Sequence, residues 1–262
     1  MVSSNDIAGF IRDGYLCIPE AFPEQIADQC LEILWKDTGC DPLDSETWTK
    51  PVIRLGEYFD TPFVKAINST TLKDAFDQLV GAGGWMPRFS LGSVPVRFPS
   101  TEKATDTGWH VDASFPGNDP NNYLEWRINI FSDGRALLLL FLFSDVGTDD
   151  APTRIAVGSH HEVARMLAPL GRQGLSFMEL AGEMQNREWD QQVLATGKKG
   201  TVYLCHPFLL HAAQDHQGTN PRFLAQPPLM PAGGSLWSDA ELDKVQTPVT
   251  EVIRMALKDQ AG

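Results

Sequence analysis

Cysteine is scarce in this chain of 262 residues: Cys17, Cys30, Cys40 and Cys205 are the full set, and no two stand in a C-x-x-C spacing. A chain of this length buries enough surface to fold without cross-links, so the four read as reduced thiols and not as a disulfide framework. Long apolar runs are missing too. The longest, Ala136 to Phe143, falls far short of the roughly 20 residues a membrane helix needs. The first twenty residues carry Asp6, Asp13 and Glu20 with one Arg and no basic segment ahead of an apolar one, which predicts no signal peptide and a cytoplasmic setting. Positive charge is the third shortage, since 21 Lys and Arg against 34 Asp and Glu leave a net −13. A surface of that sign repels polyphosphate at long range, which argues against nucleic acid and anionic membrane as partners. It does not exclude a small anion in a locally basic pocket.

No internal repeat or low-complexity linker divides the sequence, so a single domain over 1–262 is expected. Its first part, to about residue 85, has helical spacing. Ser3 and Asp6 resemble a capping box ahead of Ile7, Phe10 and Ile11, and Gly14 can end that helix. Pro23 suits a first helical position before Ile26, Cys30, Ile33 and Leu34. Thr71 can cap a further helix through Phe76, Leu79 and Val80, stopped by the glycines after it.

From about 86 to 230 the period changes. Short runs rich in Val, Ile, Leu, Phe and Trp are punctuated by Gly, Pro, Asn and Asp: 93–98, 108–114, 124–131, 136–146, 153–157, 200–204, 209–213 and 222–229. Helices are expected to interrupt them near His161–Leu167 and Phe177–Met184. Many short strands without regular intervening helices predict a sandwich or closed barrel, mainly β with helical additions. Ser238 with Glu241, and Thr247 with Pro248, mark two short helices over about 238–260.

Within Trp109-His110-Val111-Asp112, the extended context points His110 and Asp112 to one face. An imidazole and a carboxylate on one face, joined by a second imidazole from another strand, make a facial triad suited to non-haem Fe(II). His160 and Glu162 share the same two-residue spacing but stand where a helix begins, and residues two apart on a helix do not face each other. The second imidazole is His206 or His211. Pro207 breaks a central strand beside His206, which favours His211 by position. Eleven residues further on, Arg222 opens an alternating segment, and a guanidinium directed into a barrel needs an anion. Its planar fork suits the distal carboxylate of a dicarboxylic acid, while a structural ion pair is the alternative.

Taken together, Phe10–Pro19, Trp109–Asp112, Asp150–His160, His206–His211 and Arg222 resemble, in order, the phytanoyl-CoA dioxygenase family of 2-oxoglutarate oxygenases. The resemblance covers roughly residues 7–229. It implies a double-stranded β-helix, or jelly roll, of cupin-like type. It also implies His110, Asp112 and His211 as ligands of Fe(II), Arg222 as the clamp on the cosubstrate 2-oxoglutarate, and Gly158-Ser159-His160 as a structural turn. The activity implied is that of a dioxygenase that consumes O2 and hydroxylates a small organic molecule, releasing succinate and CO2. A carboxylate at 112 argues against halogenation, for which related enzymes leave that position without one. Val111 and Ala213 depart from the family's more usual polar residues. Two rivals remain: a cupin-like metal enzyme without 2-oxoglutarate, which gives Arg222 no task, and a non-catalytic jelly-roll binding protein. Trp109, Phe115, Tyr123, Trp126 and Phe208 offer aromatic surface near the motifs, and core packing is the other reading for each.

Overall fold

A computed structural model describes residues 2–185, 187–238 and 246–261. The first helix, α1 (Ser4–Asp13), is set by the expected capping box: Ser3 Oγ accepts from Asp6 N, and the Asp6 carboxylate accepts from Ser3 N at 2.8 Å. Gly14, at φ +88°, ends that helix in the left-handed region and turns the chain straight into β1 (Tyr15–Ile18). In α2 (Glu24–Thr38), Pro23 is the residue before the helix and not its first member. Then come β2 (Val52–Leu55), α3 (Thr61–Ile67) and α4 (Thr70–Val80). The cap of α4 is Ser69, whose hydroxyl accepts from Leu72 N at 3.2 Å, so the helix begins before the Thr71 expected to cap it.

The remaining elements are β3 (Val94–Arg97), β4 (Arg127–Ile128), β5 (Leu137–Leu142), β6 (Arg154–Ala156), α5 (Ser159–Leu167), β7 (Leu175–Ser176) and α6 (Phe177–Gln185). After them stand β8 (Gln192–Leu194), β9 (Val202–Cys205), β10 (His211–Ala212), β11 (Leu224–Ala225), β12 (Pro228–Leu229) and α7 (Pro248–Ala261). The helix expected from Ser238 and Glu241 falls on 239–245, outside the described residues. Several strands are shorter than their apolar runs. The segment 124–131 begins instead as a 3-10 turn, Tyr123–Glu125, because the Asn122 side chain accepts from Leu124 N at 3.2 Å and offers the backbone a local alternative to a ladder. The segment 108–114 contributes a single bridging residue, His110.

The strands form an antiparallel sheet of order β1-β9-β5-β11, with β12 also paired to β5, and a second antiparallel sheet of order β10-β6-β8. Two further pairs, β2-β3 and β4-β7, stand apart. Strand β5 is buried on both faces, which explains why its sequence reads as an unbroken apolar run. Leu137, Leu139 and Phe141 turn toward the helical layer with Phe22 and Phe63, while Leu138, Leu140 and Leu142 pack with Ile155, Tyr203 and Leu209 between the two sheets. Helix α7 closes the helical layer against α1, α4 and α5. Among the described residues no helix is long and apolar enough to cross a membrane.

Gly14 ties three of these parts together. Its N–H bonds Phe10 O at 2.8 Å and its carbonyl accepts from His206 N at 2.8 Å. A Cβ there would lie 2.5 Å from His160 Nδ1 and 2.6 Å from Leu209 Cδ1. Gly14→Ala is therefore expected to lose at least about 2 kcal/mol of stability, about 1 from the left-handed backbone and the rest from displaced core atoms. Urea unfolding measures it, and a loss below about 0.5 kcal/mol would contradict the packing described.

Candidate metal centre

His110 and His211 face each other across an antiparallel bridge in which each backbone N–H donates to the other's carbonyl, both at 3.0 Å. Residues paired this way project their side chains to the same side, and the two imidazoles stand 4.4 Å apart. Asp112 lies two residues beyond His110, and its Oδ1 sits 3.7 Å from Nε2 of both rings. One donor atom from each of the three lies within 4.8 Å of the others.

The second ring nitrogens decide what the first can do. His110 Nδ1 is 2.9 Å from Gly108 O, and His211 Nδ1 is 3.2 Å from Leu209 O. A carbonyl only accepts, so Nδ1 carries a proton in each ring and Nε2 is the nitrogen turned to the shared space. His211 Nε2 is buried with no hydrogen-bond partner. Burial, reinforced by His110, pushes the His211 imidazolium down to about 4 against the pull of Asp112, so the ring is neutral near pH 7. Burial alone would raise Asp112, but Arg135, then His211 and His110, outweigh it and hold the carboxylate below its usual range. Two imidazole Nε2 atoms and one carboxylate oxygen, converging on one point, are a donor set for a divalent cation. An orphaned, buried Nε2 has a reason to exist in such a site.

Arg135 is the residue that the sequence reading missed. Its Nη1 donates to Asp112 Oδ2 at 3.3 Å and its Nη2 to Ala113 O at 3.0 Å, which fixes the carboxylate with Oδ1 toward the imidazoles. Such an outer partner orients a metal-binding carboxylate. Arg135 is 23 positions from Asp112 and belongs to no motif. The one signal was a charge placed directly before the apolar run of β5, where it must sit at the edge of the core.

Arg222 is 1% exposed and held by carbonyls: Nη1 donates to Ala151 O at 2.6 Å and Nη2 to Pro95 O at 3.3 Å, with Thr153 Oγ1 3.5 Å from Nη1. Its backbone pairs with Arg97. Burial, then the nearby Arg97, lower its guanidinium to about 9. Arg97 in turn bonds Asp106 at 2.7 Å, and Arg54 meets the same carboxylate. Among the described residues the Arg222 side chain thus has hydrogen bonds and no carboxylate partner. Thr153 is a second unforeseen neighbour. It supplies beside Arg222 a hydroxyl that Ala213 lacks.

His110, Asp112, His211, Arg135, Thr153 and Arg222 line one cavity of about 730 Å³, together with Trp109, Tyr123, Phe177, Met178 and Gln226. Of the five aromatic residues picked from the sequence, Trp109 and Tyr123 line it, while Phe208 is fully buried and Phe115 and Trp126 lie outside the lining. The other candidate histidines are structural. His206 Nε2 meets Val249 O at 3.2 Å and its Nδ1 accepts from Phe208 N at 3.1 Å, leaving no free nitrogen. His160 is buried under α1 with Nε2 3.0 Å from Ile11 O, and Glu162 pairs with Arg187. The turn at Gly158 has φ +75°, as a left-handed helix entry requires.

The chain belongs to the phytanoyl-CoA dioxygenase (PhyH) family, whose sequence pattern matches residues 10–224. None of the curated proteins matches it in sequence. Among solved structures it is similar to the epimerase SnoN in complex with Fe3+, alpha ketoglutarate and nogalamycin RO, at 17% identity and TM-score 0.57 over 86% of this chain and 82% of that one. It is similar to HygX from Streptomyces hygroscopicus with nickel, 2-oxoglutarate and hygromycin B bound, at 16% identity and TM-score 0.54 over 86% and 85% of the two chains. EctD from S. alaskensis in its apoform matches at 20% identity and TM-score 0.54, over 87% and 76%. At these identities the likeness is one of fold: a sheet-rich architecture with helices.

The geometry around Asp112 makes a prediction that needs no substrate. Arg135→Met releases Oδ2 and lets the carboxylate rotate, so Ni(II) affinity should fall about 10–100-fold. Isothermal titration against the parent measures it, and an unchanged affinity would remove Arg135 from the description of the centre.

Proposed function

We propose that the protein is an Fe(II)- and 2-oxoglutarate-dependent dioxygenase that hydroxylates a small organic molecule, with His110, Asp112 and His211 as the iron ligands and Arg222 as the cosubstrate clamp. The observation that carries the reading is the pair of Nε2 atoms, each 3.7 Å from Asp112 Oδ1, on a protein of this family. The reading treats 1–262 as one such domain with a jelly-roll core. Two facing antiparallel sheets, with their shared apolar layer of Leu138, Leu140, Leu142 and Ile155, support that architecture.

Iron and 2-oxoglutarate, when bound, supply the oxidising chemistry, with release of succinate and CO2 from the cosubstrate and consumption of O2. The chain's own part is positioning. His110, Asp112 and His211 would hold the ion from one wall of the cavity, whose remaining space is where the cosubstrate would bind. The Nδ1–H bonds to Gly108 O and Leu209 O hold both imidazoles in the ligating tautomer. Arg135 keeps Asp112 ionised and oriented. Arg222, buried without a carboxylate of its own, offers a guanidinium and the adjacent Thr153 hydroxyl to the distal carboxylate of 2-oxoglutarate. The apolar surface of Tyr123 and Phe177 beside His110 limits water where the substrate would lie.

Metal stoichiometry tests the ligand set. The parent should bind one Fe(II) per chain anaerobically, and His110→Ala or His211→Ala should lose tight binding. His206→Ala should keep it wherever it folds, since both His206 nitrogens are engaged elsewhere. Loss of metal in the His206 variant with retention in the His211 variant would reverse the assignment.

The clamp is tested separately, by titrating 2-oxoglutarate into anaerobic Fe(II) protein and following the metal-to-ligand charge-transfer absorbance. Arg222→Ala removes one partner of a buried charge pair, a cost of roughly 2–5 kcal/mol, so affinity should fall at least about tenfold. Arg222→Lys should recover only part of that, because an ammonium lacks the two-pronged fork. A variant that keeps its iron and binds 2-oxoglutarate like the parent would transfer the advantage to a cupin-like metal enzyme without this cosubstrate.

A further inference from the structure

The charges that line the cavity do not balance once the centre is loaded. Arg97 is matched by Asp106; Arg54, which shares that carboxylate, has its side chain 61% exposed and is screened by water; and on the reading above Arg222 is matched by the distal carboxylate of 2-oxoglutarate. Among the described residues, Asp112 is the single carboxylate grouped with His110 and His211, and it is shared between Arg135 and the two imidazoles. Even with the second carboxylate of 2-oxoglutarate on the ion, two negative charges face a dication and a guanidinium. One positive charge is left over, and a buried unmatched charge is costly. The residue placed to carry it is Arg135, which lines the cavity, is 7% exposed and has an Nε with no hydrogen-bond partner.

The cavity has an apolar wall beside His110. Tyr123 and Phe177 lie 5.5 Å apart, and Phe177 lies 5.7 Å from the His110 ring. Beside them Leu124 and Met178 are 52% and 54% exposed, two large apolar side chains left uncovered on one wall. An apolar wall beside one buried charge left unmatched suits an amphipathic small molecule.

Resting on the dioxygenase reading, we propose that the substrate is a monocarboxylic acid with an apolar or aromatic body. Arg135 receives the carboxylate, and Tyr123, Leu124, Phe177 and Met178 cover the body. A phosphate ester fits less well, because a dianion overshoots the one charge to be matched.

The test uses anaerobic protein saturated with Fe(II) and 2-oxoglutarate, its charge-transfer band confirming that the centre is loaded. 3-Phenylpropionate, 4-phenylbutyrate and octanoate are each titrated beside the corresponding neutral amide and beside phenyl phosphate, following that band and the tryptophan fluorescence. At least one acid should bind about tenfold or more tighter than its amide, and tighter than phenyl phosphate. In Arg135→Met, loaded to the same band intensity, the acid-to-amide ratio should fall to within about twofold, with Arg135→Lys in between. Equal binding of acid and amide in every pair, a preference for phenyl phosphate, or an undiminished ratio in Arg135→Met overturns the inference and leaves the dioxygenase reading standing. Failure of the band to form in the parent overturns that reading and the inference with it.

Discussion

Two hydrogen bonds of 3.0 Å, exchanged between the backbones of His110 and His211, join segments a hundred residues apart in sequence. They fix more than a strand pairing. In a reciprocal antiparallel pair the side chains must rise on the same side, so register alone brings the imidazoles together. A slip of one residue would turn one ring to the opposite face and dissolve the cluster. Register is in turn held from behind, because His211 pairs with Ile155 in β6, and Ile155 packs in the apolar layer that Leu138, Leu140 and Leu142 of β5 supply. The candidate centre is therefore as well placed as the core between the sheets is well packed.

How much of this was legible in the sequence depends on range. Features set within a few residues could be read directly: the Ser3–Asp6 box, the left-handed Gly14, the helices at Ser159–Leu167 and Phe177–Gln185, and the apolar run of β5. His110 and Asp112 belong to the same class, since period two puts them on one face. The choice between His206 and His211 turned on Pro207 and gained a physical basis only in three dimensions, where Val249 O and Phe208 N–H occupy both nitrogens of His206. Arg135 and Thr153 could not be read, because each matters through a partner distant in sequence, Asp112 in one case and Arg222 in the other. Strand β2 and helix α3 went unread for another reason. They are short, and the partly exposed β2 shows no clean alternation.

The distribution of charge ties the outside of the molecule to its interior. A net −13 would by itself discourage any anion from approaching, yet among the described residues four arginines, Arg54, Arg97, Arg135 and Arg222, line one cavity beside two carboxylates, Asp106 and Asp112. At physiological salt the surface field fades within about 8 Å, so the acidic exterior sets which bulky polyanions are turned away and does little inside the cavity. There, short distances and low dielectric make each guanidinium count far more than a surface lysine. A small carboxylate that crosses the screened exterior meets an excess of positive charge, whereas a large polyanion meets the repulsive surface first. The overall acidity and the basic cavity are therefore one selection, by the size and charge of the ligand.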